Sequence, residues 1–164
     1  MIELPPTTGI SCIENVRNQI ATQVDTIQKS AGYRSDVKLV TYLVKDVKTM
    51  TNFPGVSVLI GNESTYAEDA ALSSWRSIST MKLLGYCRQE DADALIHDLL
   101  RIITPMCVTK IVDSNVRWTI PVTEDGVDRI KIYRFEFATE KVGWIGIEFP
   151  VILIDQEKDF LPPI

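Results

Sequence analysis

His97 is the single histidine of the chain and has the widest chemical range of any side chain near neutral pH. Cys87 and Cys107 stand at equal distance on either side of it, so a Cys/His metal centre has to be weighed. A specific zinc signature needs short ligand pairs such as CxxC, and the sequence contains none. His97 also falls off the apolar stripe marked by Leu95, Leu99 and Ile102, which makes a surface position the expectation. Cys12 lies at the start of a helical pattern, where a thiol pKa would fall. Without a basic neighbour it reads as a partly buried structural thiol. Ser11 belongs to no GxSxG elbow and reads as a helix cap. Asp91 and Asp93 sit where acids complement a helix dipole, and are not read as an acid/base couple. The 8 glycines form no Walker or dinucleotide loop. Trp75, Trp118 and Trp144 would stack bases or sugars if they were exposed together. Each has apolar neighbours, and core or subunit-interface packing is the commoner use. The expectation is a protein with no catalytic residues, no metal and no cofactor.

The elements that carry these residues alternate between two periods. Ile13, Val16, Ile20, Val24 and Ile27 recur every three or four residues and predict a helix. Ser11 and Glu14 form its capping box, and Gly32 is the expected left-handed stop. Its polar face, with Asn15, Arg17, Asn18, Gln19, Gln23, Asp25 and Gln28, is expected to meet solvent or a partner. Residues 36–47 alternate as a strand, and Pro54-Gly55 precedes a second strand over 56–60. Residues 61–74 hold Glu63, Glu68 and Asp69 around Tyr66 with no base, and read as a long polar connection. A third strand covers 75–87. A second helix starts near Glu90, carries Leu95, Ile96, Leu99, Leu100, Ile102 and Ile103, and ends at Pro105. Short strands at 107–112 and 116–122 follow, then a turn at Glu124-Asp125-Gly126. Strands at 130–138 and 144–154 close the pattern, joined tightly at 140–143.

This order predicts a single α+β domain over 1–164, with a mostly antiparallel or mixed sheet and two helices on one face. A long C-terminal β-hairpin is expected, with an irregular lead-in at 1–10 and a loose Pro-rich tail at 155–164. The 164 residues suit one domain, and a hydrophobic content of 45% is that of a globular chain. The balance of 22 acids against 17 bases, net −5, opposes wrapping of nucleic acid, which needs a basic footprint. The 3 scattered cysteines suggest reduced thiols in a cytoplasm. No signal peptide or membrane span is visible.

One resemblance sharpens the reading. A helix over 13–27 ends in Gly32-Tyr33 and leads into a strand. There follows the stretch Pro54-Gly55-Val56-Ser57-Val58-Leu59-Ile60-Gly61-Asn62-Glu63: proline, valine-rich strand, glycine, acid. A long strand at 77–86, an acidic-start helix at 91–103 and a hairpin ending Glu148-Phe149-Pro150-Val151-Ile152 complete it. Over residues 11–154 this arrangement resembles the tail terminator (tail-completion) proteins of long-tailed bacteriophages. The chain is longer than the smaller members of that family, with the excess at 61–74 and in the tail.

The resemblance implies a non-enzymatic virion protein without cofactor. Such a protein forms a homomeric ring, usually a hexamer, on the head-proximal end of the tail tube. The ring stops tube polymerisation and then docks the head. Its partners would be its own copies, the tail tube protein and a head-completion or neck protein. It would be assembled in the host cytoplasm with no part for a membrane, and DNA would pass through the lumen without specific binding. An acidic channel suits that passage, since like charge removes the counterion-release gain. The subunit contact is expected at the 61–74 connection and the strand edges, with Glu63, Tyr66, Glu68, Asp69 and Trp75 as its residues. Another neck, head-completion or tube-like virion protein is the nearest alternative. A small cytosolic ligand-binding or enzyme domain, with a pocket between helix and sheet, is the more distant one.

Overall fold

A computed structural model describes residues 1–6, 11–69, 74–107, 110–111, 116–120, 130–134 and 141–155. The first helix, α1 (Cys12–Val24), starts at the predicted capping box. Glu14 N donates to Ser11 Oγ at 3.4 Å and Ser11 N donates to Glu14 Oε2 at 3.0 Å, so two free amides at the helix start are satisfied. Val16, Ile20, Ala21 and Val24 are buried along the predicted stripe. The helix ends well before Gly32. A 3-10 turn, Lys29–Ala31, intervenes, and Gly32 caps that turn at φ 89°, in the left-handed conformation expected of it but one element later.

The second helix, α2 (Ala92–Ile103), follows a 3-10 turn at Gln89–Asp91 and gives way to another at Thr104–Cys107, which contains Pro105. Leu95, Ile96, Leu99, Ile102 and Ile103 are buried as the periodicity predicts.

The strands are β1 (Ile2–Glu3), β2 (Leu39–Thr41), β3 (Gly55–Asp69), β4 (Ser74–Arg88), β5 (Lys110–Ile111), β6 (Val116–Thr119), β7 (Lys131–Arg134) and β8 (Val142–Asp155). They form one mixed sheet in the order β1-β2-β3-β4-β8-β6-β5, and β7 also pairs with β8. The β1–β2 and β2–β3 pairs are parallel and the others antiparallel, which makes the chain the expected single α+β domain. The register aligns Val56 with Gly85 and Ile145, Val58 with Leu83 and Ile147, and Ile60 with Met81 and Phe149. These rows and the buried stripes of both helices make one core. At Gly85 a Cβ would lie 2.7 Å from Leu95 Cδ2, so glycine lets α2 approach the sheet there.

Three expectations need correction. The lead-in is not wholly irregular: β1 pairs with β2, and Val40 N donates to Met1 O at 2.9 Å. The strand read over 36–47 shrinks to three residues because polar side chains capture the backbone beyond it. Leu43 N donates to Thr41 Oγ1 at 3.3 Å, Ser57 Oγ donates to Leu43 O at 2.6 Å, and Lys45 N donates to Tyr86 Oη at 2.9 Å. The connection read over 61–74 is mostly strand, with β3 and β4 paired out to Asp69 and Ser74. Its alternation is hidden by a bulge in which Gly61, Asn62 and Glu63 oppose Thr80 alone, shifting the register between Ile60 and Ser64. Of the first arm of the C-terminal hairpin, the described part is the four-residue β7, antiparallel to β8 and in register from Arg134–Ile145 to Lys131–Glu148. The 124–126 turn, residues 135–138 of the expected strand, Glu140 of the connection and the tail from 156 lie outside the described residues.

Candidate functional site

Among the described residues, those first weighed for chemistry do not converge. His97 has 47% of its side chain exposed, as expected of a surface histidine, with Nδ1 3.5 Å from Asp98 Oδ1. Among the described residues no three His, Cys, Asp or Glu side chains group as a metal site. Among them, too, no helix is long and apolar enough to cross a membrane. Cys12 is exposed, where a partly buried thiol was expected, because its position at the start of α1 lies off the buried stripe.

Cys87 is fully buried on β4, and burial, with a smaller contribution from the nearby Asp91 charge, pushes its thiol up to about 12. The unfolded thiol ionises near its ordinary value of about 8.5, so the unfolded chain releases a proton that the folded one retains. Stability is therefore expected to fall as pH rises from about 8.5 toward 12, and Cys87→Ala should flatten that limb of a pH–denaturation series. In the native protein at pH 8, maleimide should modify Cys12 well before Cys87, as peptide mapping would read. Equal rates would contradict the burial.

Trp118 is buried, and its Nε1 donates to Gln19 Oε1 at 3.0 Å, so one member of the expected polar face of α1 serves the core. Two others depart from that face as well: Arg17 is buried with its guanidinium 5.3 Å from the Tyr42 ring centroid, and Gln28 Nε2 donates to Val37 O at 2.9 Å. Trp144 is 38% exposed and lies in register with Tyr86, so it does not share the buried setting of Trp118.

The proposed contact residues gather at the distal half of the β3–β4 hairpin. Tyr66 is in register with Ser77, Glu68 with Trp75, and Asp69 with Ser74, while Glu63 stands in the bulge. Beyond them, β8 brings Asp155 into register with Trp75. Two acids, Glu68 and Asp155, thus flank Trp75 across the sheet.

Asp98 is the polar residue that sequence reasoning passed over. It is 0% exposed. Its Oδ2 accepts from Ser35 N at 2.7 Å and from Arg34 N at 3.0 Å, tying α2 to the chain that leaves the Gly32 turn. One turn along, Arg101 Nη1 donates to Gly32 O at 2.8 Å, and its guanidinium stacks 4.6 Å from the Tyr33 ring centroid. A polar residue at i+3 from Leu95 in an apolar stripe is the signal that could have marked Asp98 in advance.

These anchors shape an open groove between α1 and α2 of about 420 Å³, lined by Gln19, Gln23, Tyr33, Arg101, Met106 and Trp118 among others. Its rim is amide and guanidinium, and its floor is aromatic and thioether. Among the described residues its lining holds no carboxylate, histidine or cysteine, and its hydroxyls are those of Thr22 and Tyr33. No family model matches this chain, and no curated protein matches it.

Proposed function

We propose that this chain is a structural virion protein that acts as a phage tail terminator. It forms a homomeric ring, most simply a hexamer, on the head-proximal end of the tail tube. There it stops polymerisation and presents the surface on which a head-completion or neck protein docks. It works by assembling, not by catalysis, and needs no cofactor. DNA passes through the lumen unread.

The observation that best supports this reading is the outer edge of β3. The short β2 pairs only with Gly55, Val56 and Ser57, and among the described residues no strand pairs with that edge over residues 58–69. At about 3.4 Å per residue this is an edge on the order of 40 Å long. A long open edge is a template for pairing with another chain, and natural proteins cover it or guard it with charge. Glu63, Glu68 and Asp69 lie along it and would oppose unselective pairing. Leu43, Val44, Tyr133 and Trp144 add exposed apolar area of the sort an assembling protein covers. A closed ring needs a contact between two different patches of one chain, and an edge of this kind supplies one patch.

The test is electron microscopy of the purified protein with purified tail tubes. Rings seated on tube ends, with growth arrested on adding further tube subunits, are the expected result. A protein that stays monomeric on tube ends and leaves tube length uncontrolled would falsify the reading. Removing residues 63–69 is not a clean probe, because it would strip β4 of its partner from Ser79 to Ser74. Substitution is the better perturbation.

A further inference from the structure

We infer that the groove between α1 and α2 is the receiving half of the subunit contact, and that its occupant is the acidic distal part of β3, residues 63–69, of the next copy. This rests on the ring reading and names the surface that the edge of β3 meets.

Among the described residues, Arg101 is the one charged residue lining the groove. It is preorganised, with the guanidinium stacked on Tyr33 and one donor spent on Gly32 O. A guanidinium carries five N–H donors in a rigid fork suited to carboxylates, so this one is held ready for an acid. The sequence from Glu63 to Asp69 carries three acids, one aromatic and no base. It is extended, and its outer backbone edge is unpaired by any described strand. Such a segment has carboxylates for Arg101 and backbone N–H and C=O groups for the exposed amide of Gln23. In a chain of net charge −5, a positively charged groove and a base-free acidic strand are complementary patches on one molecule. They are different patches, so the contact is heterologous and propagates head to tail until it closes.

Charge exchange tests this. Arg101→Glu alone, and Glu68→Lys with Asp69→Lys alone, are each expected to weaken self-association by about tenfold or more, read by analytical ultracentrifugation over a concentration series. Mixing the two variants should restore assembly, because each groove then meets an arm of opposite charge. Since Arg101 also holds Gly32, Gln23→Glu serves as a second groove variant; its exposed side chain anchors none of the described residues, and it too should weaken assembly while the thermal transition is unchanged. Rings that form normally in all these variants overturn the groove assignment and leave the ring reading standing. Loss of tube capping with self-association intact assigns the groove to the tube protein and also overturns it. A wild-type chain that is monomeric at every concentration and on tube ends overturns both.

Discussion

Asp98→Ala is expected to destabilise the domain by about 3–5 kcal/mol, as measured by urea denaturation. The carboxyl group is wholly buried and is the acceptor for Ser35 N and Arg34 N. Truncation leaves the buried Ser35 amide without its acceptor, at about 1–3 kcal/mol for an unsatisfied buried group, and removes the acceptor of the part-buried Arg34 amide as well. It also leaves a cavity where the buried carboxyl group stood. Asp98→Asn keeps the shape and one acceptor oxygen, and neutral hydrogen bonds are roughly half as strong as charge-assisted ones, so its loss should fall between alanine and wild type. His97→Ala at the neighbouring exposed position should stay within about 0.5 kcal/mol, the range of surface changes. If Asp98→Ala also falls in that range, the link between α2 and the 32–35 segment is not what holds them together. Because that segment carries Tyr33 and frames the groove, the same variant should loosen the rim around Arg101.

Leu99→Ala should cost about 2–5 kcal/mol by the same measurement. Leu99 is 0% exposed in the core that joins both helices to β3, β4 and β8. Its loss removes transfer free energy and leaves a cavity, and the cost rises with how little the site can collapse. Collapse is limited on the sheet side, where Leu95 already sits against the glycine row at Gly85 and Ile145. A loss below about 0.5 kcal/mol would mean that the face of α2 turned to the sheet has been misassigned. Leu99→Met, which conserves volume more nearly, should cost under about 1.5 kcal/mol and separates cavity formation from loss of hydrophobicity.

Asp98 and Leu99 are adjacent, equally buried and unequally legible. Leu99 belongs to a pattern that repeats along its own helix, and a period of 3.6 needs no knowledge of what lies opposite. The acceptor role of Asp98 depends on amides more than sixty residues away in sequence, delivered by the Gly32 turn. No local window contains both partners. The same difference separates Ser11 from Ser57. The capping box is closed within four residues and was readable, whereas the partners of Ser57, Leu43 O and Tyr86 Oη, meet it only once the sheet has formed.

What the residues decided alone was therefore the local layer: both helices and their buried faces, the cap of α1, the left-handed Gly32, the strand at β4, the mixed α+β class and the surface position of His97. Each follows from short-range periodicity or from one residue's conformational preference. Pairing and its consequences belonged to the tertiary structure. It brought Met1 to β2, cut the 36–47 strand to three residues, and paired residues 64–69 with 74–79 where a connection was expected. The polar residues of that stretch suit a loop and a strand edge equally well, and only the ladder with β4, across a bulge that breaks the period of two, decides between them. The groove has the same origin. Gln19, Arg101 and Trp118 lie on three separate elements, and packing alone makes them neighbours.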